Sequence, residues 1–357
     1  MKRCKLCCMP DTRPGLTFDA QGVCAACRVY EARKHVDYAA RMEELRALCD
    51  QHRDPHHYDC IIAVSGGKDS HYQVQMARQR LGMHPLLVSV SDNFPMTAAG
   101  EHNLRNIQRL GADMLVYRPN PRAQRMAMRH CFERYGKPTY FTDRYIYTIP
   151  LWYSVRFGIP LVFYGENVQY EYSGVGLETP SALDQIGNGV ASGIDSDEIY
   201  RVCGEQLLDF DPPTDYGGIN PQYLSYYDPW DSHMHYLAAQ RLGFRDLRDE
   251  WDRTCCVETW NQVDTRAYLV HPWMKFPKFG HAMATDIGSR LVRYGLITRD
   301  EAMRLIREKD GALDPLCVRD FCAFAGYDEP EFWLIVNRWY NPDLFVRVGG
   351  KWVLRED

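Results

Sequence analysis

Cys60-Ile-Ile-Ala-Val-Ser-Gly-Gly-Lys-Asp-Ser70 is the stretch of this chain that decides its fold. Ile61–Val64 has the apolar pattern of a short buried strand, and a helical pattern begins at Asp69. Gly66 and Gly67 between them permit a tight turn. Backbone N–H groups converge at such a strand-to-helix turn, where the positive end of the helix dipole also lies. The stretch therefore predicts a loop that binds phosphate groups.

The spacing of the glycines distinguishes this loop from the Walker A loop, which needs Gly, four residues and then Gly-Lys-Ser/Thr. Here Gly66 and Gly67 are adjacent, and Asp69 stands between Lys68 and Ser70. The segment resembles instead the Ser-Gly-Gly-x-Asp-Ser signature of the PP-loop pyrophosphatase superfamily, whose members cleave ATP between the α and β phosphates and adenylate an oxygen of the substrate. The alternative is a serine- and glycine-rich turn in an ordinary α/β domain.

The resemblance implies that ATP is the ligand of the loop. The hydroxyl groups of Ser65 and Ser70, with the main-chain amides of Gly66 and Gly67, are expected to hold the β and γ phosphates. Asp69 lies at the helix start, where its carboxylate could orient the loop or help to hold Mg²⁺. The candidate catalytic residues of the loop are Lys68 and Asp69.

The sequence after the loop alternates between strand and helix patterns. Strands separated by helices of this length predict a parallel sheet with right-handed crossovers, and ligands then bind beyond the carboxyl ends of the strands. The expected fold class is therefore α/β, with a parallel-sheet PP-loop domain of the adenine nucleotide alpha hydrolase-like (HUP) type. The predicted strands are Pro85–Ser91, Asp113–Tyr117 and Pro160–Tyr164, and the predicted helices are Ala98–Leu110 and Arg122–Tyr135.

Polar residues at the ends of two further strands are expected to share the crevice with the loop. Asp92 and Asn93 follow the second strand, where the superfamily typically places the adenosine. Asp92 could serve the ribose or the metal, and the alternative is a strand-ending turn, since Asp and Asn are common turn formers. Gly165 and Glu166 end the strand Leu161–Tyr164. A carboxylate there suits a magnesium ligand or a substrate contact, because Mg²⁺ takes few protein oxygens.

Four cysteines near the N-terminus form two CxxC pairs with sixteen residues between them, which is a spacing typical of a four-thiolate zinc ribbon or knuckle. About thirty residues cannot bury enough surface alone, so metal binding would supply the folding energy. Cys8 could replace Cys7 as a ligand. A redox CxxC, an iron–sulfur site and buried free thiols are the alternatives. The predicted zinc ligands are Cys4, Cys7, Cys24 and Cys27.

Composition limits the partners that the chain can have. The 42 basic and 47 acidic residues give a net charge of −5, which makes nucleic acid an unlikely partner. No stretch approaches the roughly 18 apolar residues of a membrane span. The start, Met1–Cys4, lacks the apolar region of a signal peptide, and thirteen cysteines fit a reducing compartment. We therefore expect a cytoplasmic protein with no membrane partner.

The sequence from Gln169 to about Pro229 is rich in Gly, Tyr, Asp and Pro, with one helical pattern near Asp197–Leu208. Long excursions of this kind tend to be lids or binding surfaces. Their tyrosines offer stacking faces to a sugar or nucleotide, or they fill the core. His233 and His235 form a His-x-His that we interpret as structural rather than metal-binding. The clustered tyrosines are Tyr170, Tyr172, Tyr223, Tyr226 and Tyr227.

Pro272–His281 holds Lys275 and Lys278 between proline and aromatic residues. A distant basic residue that closes over the ATP phosphates would neutralise charge on departing pyrophosphate. The alternative is two surface lysines on a loop. The predicted domains are a zinc module (1–30), a helix and linker (31–57), the PP-loop domain (58–168), an insertion or substrate region (169–260) and a helical C-terminal part that completes the active site (261–357).

Taken together and in this order, the motifs resemble the N-acetyl sugar amidotransferases, PP-loop enzymes of bacterial surface-polysaccharide, O-antigen and flagellin-sugar biosynthesis (pseudaminic- and legionaminic-type sugars). The resemblance implies that ATP and ammonia convert an acetamido group on a sugar into an acetamidino group, with release of AMP and pyrophosphate. It also implies that a separate HisH-like glutaminase and a HisF-like barrel supply the ammonia, because the chain has no nucleophile elbow of its own. The matching segments are Cys4–Cys7, Gly22–Cys27, Ser65–Ser70, Tyr164–Asn167, Lys275–His281 and Thr298–Ala302.

Two other functions remain as alternatives. A PP-loop tRNA thiolase or lysidine-type synthetase would also adenylate an oxygen, and the thiolase would need a reactive cysteine near the loop. A non-catalytic scaffold would use the nucleotide only to regulate assembly. The intact loop argues against the scaffold, and the net charge argues against a tRNA surface. The cysteines available to a thiolase are Cys60, Cys131, Cys203, Cys255 and Cys256.

Overall fold

The computed structural model describes residues 1–176, 178–183, 186, 193–215 and 217–355. A five-stranded parallel sheet with the order β3-β2-β1-β4-β5 lies at its centre. In the register, Ile61 pairs with Leu86 on one side and with Val162 on the other. Both faces of the central strands are covered, which explains their continuous apolar sequence. The strands are β1 (Cys60–Ala63), β2 (Pro85–Val90), β3 (Asp113–Tyr117), β4 (Leu161–Tyr164) and β5 (Asn220–Tyr223).

Helices cover the two faces of the sheet, and the predicted α/β class is confirmed. Asn120 caps one of them with its side chain and Gly136 ends it in the left-handed region, as the sequence signals predict. The helices before β5 are α1 (Ala25–Arg33), α2 (Tyr38–His52), α3 (Lys68–Gln75, extended by a π-helical turn at Met76–Arg80), α4 (Ala98–Gln108), α5 (Pro121–Tyr135), α6 (Tyr140–Phe157), α7 (Val168–Ser173) and α8 (Ser196–Cys203).

Two local expectations differ from the structure, and a third falls partly outside the described residues. The sequence of residues 29–53 predicts a single polar helix, but the structure has two helices there, because Asp37 caps α2 by accepting a hydrogen bond from the amide of Ala40. The helix expected to reach Leu208 ends at Cys203, where Gly204 turns the chain into the left-handed region. The expected insertion falls partly on residues 177, 184–185, 187–192 and 216, which lie outside the described residues.

The C-terminal part is helical, as expected, and packs against the sheet domain through α5. Phe132 of α5 stacks on Phe332 with ring centroids 5.5 Å apart and meets Phe321 edge-on. The predicted capping box of Thr298 and Glu301 is present. The elements are α9 (Leu224–Tyr227), α10 (Ser232–Arg241), α11 (Val270–Trp273), α12 (Lys275–Phe279), α13 (Met283–Arg293), α14 (Arg299–Lys309), α15 (Pro315–Ala325), α16 (Glu329–Asn337) and the hairpin of β6 (Phe345–Val348) and β7 (Lys351–Leu354).

Candidate functional site

The predicted phosphate loop lies between β1 and α3, at the carboxyl end of the sheet. Gly66 has a φ of 90°, and a Cβ there would stand 3.1 Å from the backbone nitrogen of Leu104. Gly67 caps α3 with ordinary extended backbone. The amide of Ser65 donates to Oγ of Ser70 at 3.0 Å, and the amide of Gly67 donates to Oγ of Ser65 at 3.2 Å. These bonds hold the loop open toward the cleft at the start of a helix dipole.

Asp69 is held by partners on both of its oxygens. Lys68 Nζ donates to one oxygen at 2.7 Å, and His235 Nδ1 lies 2.8 Å from the other. Burial would raise the pKa of Asp69, but the charges of Lys68 and His235 outweigh it and hold the pKa well below its usual range. Asp69 is therefore a carboxylate at any physiological pH.

His235 is a functional-site residue that the sequence interpretation missed. It lies on α10, is buried, and stacks on Tyr72 with ring centroids 4.0 Å apart. Trp230 meets its ring edge-on at 4.4 Å. The His-x-His pattern was visible in the sequence, but its partner Asp69 is 166 residues away. The interpretation of His235 as structural rather than metal-binding agrees with this packing.

The loop opens into a cleft of about 520 Å³, a volume within the usual range of ligand sites. Ser65, Asp69 and Ser70 line part of it. Another part of its wall comes from the C-terminal part and from the zinc module. Tyr147, Tyr164 and Tyr172 add aromatic surface. We call four charged residues of the second part the charged wall: Arg13, Lys275, Asp286 and Arg290.

The charged wall is organised around Asp286 of α13. Arg13 from the zinc module and Lys275 from α12 each bond one oxygen of the Asp286 carboxylate. Burial would raise the pKa of Asp286, but these two cations hold it well below its usual range. Arg290, one helical turn further on, lies over the ring of Tyr172 at 4.3 Å from its centroid. Two parts of the chain that are distant in sequence thus deliver cations to the cleft.

Gly165 and Glu166 lie where they were expected, at the carboxyl end of β4. A Cβ on Gly165 would stand 2.9 Å from both Gln73 Nε2 and a ring carbon of Trp230, so only glycine fits without a shift. Glu166 lines the cleft and accepts a hydrogen bond of 3.4 Å from Tyr172. Burial raises the pKa of Glu166, and the charge of Arg290 opposes the rise. A buried carboxyl of this kind fits an oxygen ligand for Mg²⁺ better than Asp69 does, because both Asp69 oxygens already have partners.

Asp92 and Asn93 are placed beyond the strand end but turn away from the cleft. Asp92 accepts a hydrogen bond of 2.7 Å from Thr265, and burial raises its pKa to about 6. Asn93 has a φ of 56° and donates to the carbonyl of Pro119 at 2.9 Å and to Gln124 at 2.8 Å. These contacts match the strand-ending turn that the sequence left open, and the adenosine role of the pair stays a prediction.

The two lysines of Pro272–His281 have different positions. The segment is not the surface loop of the alternative interpretation, since α11 and α12 run through it. Lys275 lines the cleft, whereas Lys278 Nζ donates to the carbonyl of Gly136 at 2.8 Å. Burial lowers the pKa of Lys278 to about 8, with Lys137 and Lys275 adding to the effect. Of the pair, Lys275 is therefore the candidate for the phosphates. Lys68 lies 5.3 Å over the ring of Trp260 and acts on the cleft through Asp69.

The predicted tyrosine surface of the insertion divides in the same way. Tyr172 lines the cleft, while Tyr223 and Tyr227 are buried and fill the core. Arg41 stacks over Tyr226 with the guanidinium 4.0 Å from the ring centroid, away from the loop. Tyr170 stands near Arg33 at 5.9 Å. One of the five tyrosines is thus available to a ligand in the cleft.

The four predicted zinc ligands come together in a buried cluster. All four sulfur atoms lie within 4.8 Å of one another, with Cys4 and Cys27 at 3.9 Å and Cys7 and Cys24 at 3.7 Å. A tetrahedral zinc ion with Zn–S distances of about 2.3 Å sets its sulfur ligands about 3.8 Å apart, so the four thiols could hold zinc. Cys8 points elsewhere, its Sγ 3.7 Å from the carbonyl of Arg299, which decides the ligand question in favour of Cys7.

Comparison with known proteins finds a match for the C-terminal part of the chain, which contributes three of the four residues of the charged wall. Residues 257–356 match the family described as LPS biosynthesis protein WbpG-like, C-terminal domain. Residues 257–356, which are similar to this family, are called the WbpG-like domain below. The match bears out the family resemblance predicted from the motifs. Lys275, Asp286 and Arg290 all belong to the WbpG-like domain.

Two further comparisons are less informative. No curated protein matches the chain. Among solved structures, the NMN synthetase from Francisella tularensis is similar over 100% of its own chain and 60% of this one, with 11% identity and a TM-score of 0.30. A similarity at this level says nothing about what this chain binds. In the part of the chain that the structure describes, no helix is both long and apolar enough to cross a membrane.

Proposed function

We propose that this protein is an ATP-dependent amidotransferase that acts on an N-acetylated sugar of a bacterial surface polysaccharide. ATP adenylates the acetamido oxygen, ammonia replaces that oxygen, and AMP and pyrophosphate leave. A phosphate loop of PP-loop type and a WbpG-like domain of LPS biosynthesis support a sugar-modifying enzyme that uses a nucleotide. The acetamidino product rests on the family resemblance of the motifs.

One observation carries the proposal: residues of the phosphate loop and residues of the WbpG-like domain line a single cleft. Ser65 and Ser70 belong to the loop, and Lys275 and Arg290 belong to the WbpG-like domain. A nucleotide on the loop would therefore meet whatever the WbpG-like domain holds. That arrangement fits a reaction in which the α phosphate of ATP is transferred to a second substrate in the same cavity.

Both the phosphate loop and the charged wall take part in the proposed reaction. The acetamido oxygen attacks the α phosphorus, the α–β phosphoanhydride bond breaks, and the loop amides with Lys275 stabilise the charge on pyrophosphate. Glu166 is the residue that would hold Mg²⁺, which would neutralise phosphate charge when bound. Tyr172 and Tyr147 offer faces on which a sugar ring can pack. Ammonia then adds to the imidate carbon, the C–O bond breaks, and AMP leaves with the bonding electron pair.

The positions of the cysteines favour this proposal over a tRNA thiolase. Among the described residues that line the cleft there is no cysteine. Cys60 and Cys131 are fully buried, and burial raises the pKa of both thiols. Cys203 donates to the carbonyl of Ala123 on the face of α5. A side-chain hydrogen bond from Cys256 lowers the pKa of Cys255 to about 3, but Cys255 and Cys256 are both buried and do not line the cleft. A persulfide carrier needs a thiolate that is accessible as well as reactive.

The test is a product assay with ATP, Mg²⁺, ammonium chloride and a panel of N-acetylated sugars, both free and nucleotide-activated. We expect one sugar to support AMP and pyrophosphate formation. With ordinary ammonium that sugar becomes about one mass unit lighter, and with nitrogen-15 ammonium the product is about one mass unit heavier than the unlabelled product. ADP as the spent nucleotide, or AMP formation that depends on tRNA instead of a sugar, would refute the proposal.

A matched pair of variants checks that the loop is responsible. Asp69→Ala removes the carboxylate that Lys68 and His235 hold, and we expect AMP formation to be lost while the protein still folds. Asp54→Ala changes a half-buried aspartate of the linker whose hydrogen bonds are to the neighbouring His56 and His57, and it leaves the activity unchanged. Equal activity of the two variants would remove the loop from the mechanism.

A further inference from the structure

A second, much smaller cavity adjoins the cleft and has no place in the chemistry described so far. Its volume is about 20 Å³, enough for one or two molecules the size of water. Glu166, Trp230 and Arg290 line both this side chamber and the main cleft. The side chamber and the cleft therefore lie on either side of these three side chains, one of which is the carboxyl-bearing Glu166. Neither a sugar nor a nucleotide fits in the side chamber.

Two helix faces form the walls of the side chamber. Ala26, Val29, Tyr30 and Arg33 follow the i, i+3, i+4, i+7 spacing of one face of α1. Arg290, Arg293 and Tyr294 repeat the same spacing on α13. Tyr30 and Tyr294, both half-buried, also line the chamber, with ring centroids 5.8 Å apart. The side chamber thus lies between the two helices and is lined both by partly exposed rings and by residues of the cleft.

The charges along the side chamber are largely paired. Arg33 bonds the carboxylate of Glu171, the carbonyl of Ser225 and the hydroxyl of Tyr38. Glu166 faces Arg290, whose charge acts on it. Arg293 lies near the thiols of the cysteine cluster, which carry negative charge when they bind a metal. A paired lining of this kind favours a small uncharged polar molecule over a free ion.

We propose that the side chamber is the access route of ammonia to the cleft. The proposal rests on the proposed amidotransferase function and adds the path of its nitrogen substrate. ATP on the loop and a sugar against the WbpG-like domain would fill the cleft from its open side. A separate path beside Glu166 would let ammonia reach the imidate carbon without displacing either substrate.

At the end of the side chamber next to the cleft, ammonia would react with the adenylated sugar. The electron pair of ammonia forms a C–N bond to the imidate carbon. One proton leaves the new nitrogen for a carboxylate, and Glu171 and Glu166 are the two carboxyl groups that line the side chamber. The C–O bond to the phosphate then breaks, and AMP takes its electron pair. Burial raises the pKa of Glu171 to about 7, which suits a group that accepts and returns a proton.

A graded series at Val29 tests the route. Val29 is half-buried on the chamber face of α1, so Val29→Phe narrows the side chamber and Val29→Ala widens it. We expect Val29→Phe to raise the KM for ammonium chloride by about tenfold or more, and Val29→Ala to let methylamine serve as a nucleophile. Pyrophosphate exchange into ATP needs the sugar but no ammonia, and it stays at the wild-type rate in both variants.

The control is Ala32→Phe, which adds the same ring to the exposed face of the same helix. It leaves the KM for ammonium chloride unchanged. The route is overturned if Val29→Phe has the wild-type KM while the sugar is still amidinated, and in that case the proposed function stands. If the wild-type protein forms no AMP with any sugar of the panel, the proposed function fails and the route fails with it.

Discussion

At the scale of single residues, the site depends on groups that constrain one another across the loop. Asp69 is a carboxylate because Lys68 and His235 donate to it, and His235 is itself held between Tyr72 and Trp230. Trp230 in turn leaves room only for glycine at position 165. A substitution at any of these residues therefore alters the position of Asp69 through the side chains in contact with it.

The two glycines of the loop are predicted to differ in their tolerance of alanine. Gly66→Ala meets both a positive φ and the backbone of Leu104, so we expect it to lower the free energy of unfolding by about 1–3 kcal/mol and to reduce AMP formation. The Cβ added by Gly67→Ala would stand 3.3 Å from Oγ of Ser65, and we expect the free energy of unfolding to fall by less than about 1 kcal/mol. Urea unfolding of both variants makes the comparison. Equal losses would contradict the assigned roles.

Asp264 is predicted to make stability depend on pH. Burial raises its folded-state pKa to about 7 from an ordinary value of 3.8, and the charge of Asp92 adds to the rise. The folded carboxyl therefore keeps a proton that the unfolded one releases, and the free energy of unfolding falls as the pH rises between these two values. Asp264→Asn removes this loss of stability. We expect the free energy of unfolding of the variant to be about 1–3 kcal/mol higher than that of the wild type at pH 8.

Urea unfolding at pH 5 and at pH 8 measures this difference. At pH 5 the folded wild-type carboxyl is protonated, so the advantage of Asp264→Asn shrinks there. Glu308→Gln, on an exposed surface of α14, serves as the control and shows no such pH dependence. An advantage of Asp264→Asn that is larger at pH 5 than at pH 8 would contradict the direction of the shift.

At the scale of elements, α13 connects the cysteine cluster with the cleft. Its first turn carries Asp286, which holds Arg13 and Lys275, and its last turns carry Arg290 and Arg293. Because the helix is rigid, the position of the cluster and the position of the charged wall are linked through it. The sequence predicted this helix but could not predict that both of its ends face functional groups.

Asp286→Asn is predicted to break this wall. The substitution leaves Arg13 and Lys275 without their shared counter-charge in a buried setting, which typically costs about 3–5 kcal/mol. We expect a lower free energy of unfolding and a higher KM for ATP in the formation of AMP. Circular dichroism with urea measures the first, and the AMP assay measures the second. A variant as stable as Asp300→Asn, an exposed change on the neighbouring α14, would contradict the importance of the wall.

At the scale of the whole molecule, the two ends of the chain meet around the sheet. Arg299 donates to the carbonyls of Cys4 and Cys7 at 3.1 and 2.9 Å, and the amide of Cys8 donates to Ser289 at 3.2 Å. The zinc module is thereby docked on the WbpG-like domain, and Arg13 reaches the cleft from it. The module contributes to the site although it lies far from the loop in sequence.

Metal removal is predicted to affect the cleft as well as the module. We expect one zinc per chain by metal analysis, and we expect chelation to lower the melting temperature and the rate of AMP formation, since Arg13 loses its support. Cys24→Ser abolishes zinc binding. Cys8→Ser, outside the cluster, keeps one zinc per chain. Iron with visible absorption, or a Cys8→Ser protein without zinc, would contradict the assignment.

Local patterns were sufficient for those parts of the site whose residues are close in sequence. The strand, the paired glycines and the helix start of the phosphate loop all lie within Cys60–Ser70. The two CxxC pairs lie within the first thirty residues. The same holds for the capping box of α14 and the alternation that predicts a parallel sheet. In contrast, α6 was not predicted, because Pro150 and a run of aromatic residues weaken its helical pattern.

The sequence by itself determined the phosphate loop, the four thiols and the α/β class, because each depends on residue types at short, regular spacings. Only the tertiary structure decided that His235 meets Asp69 across 166 positions and that Arg13 meets Asp286 across 273. Periodicity shows which face of an element is buried, but it does not show which other element packs against that face. That choice depends on how all the helices fit around the sheet, and the cleft is made by that fit.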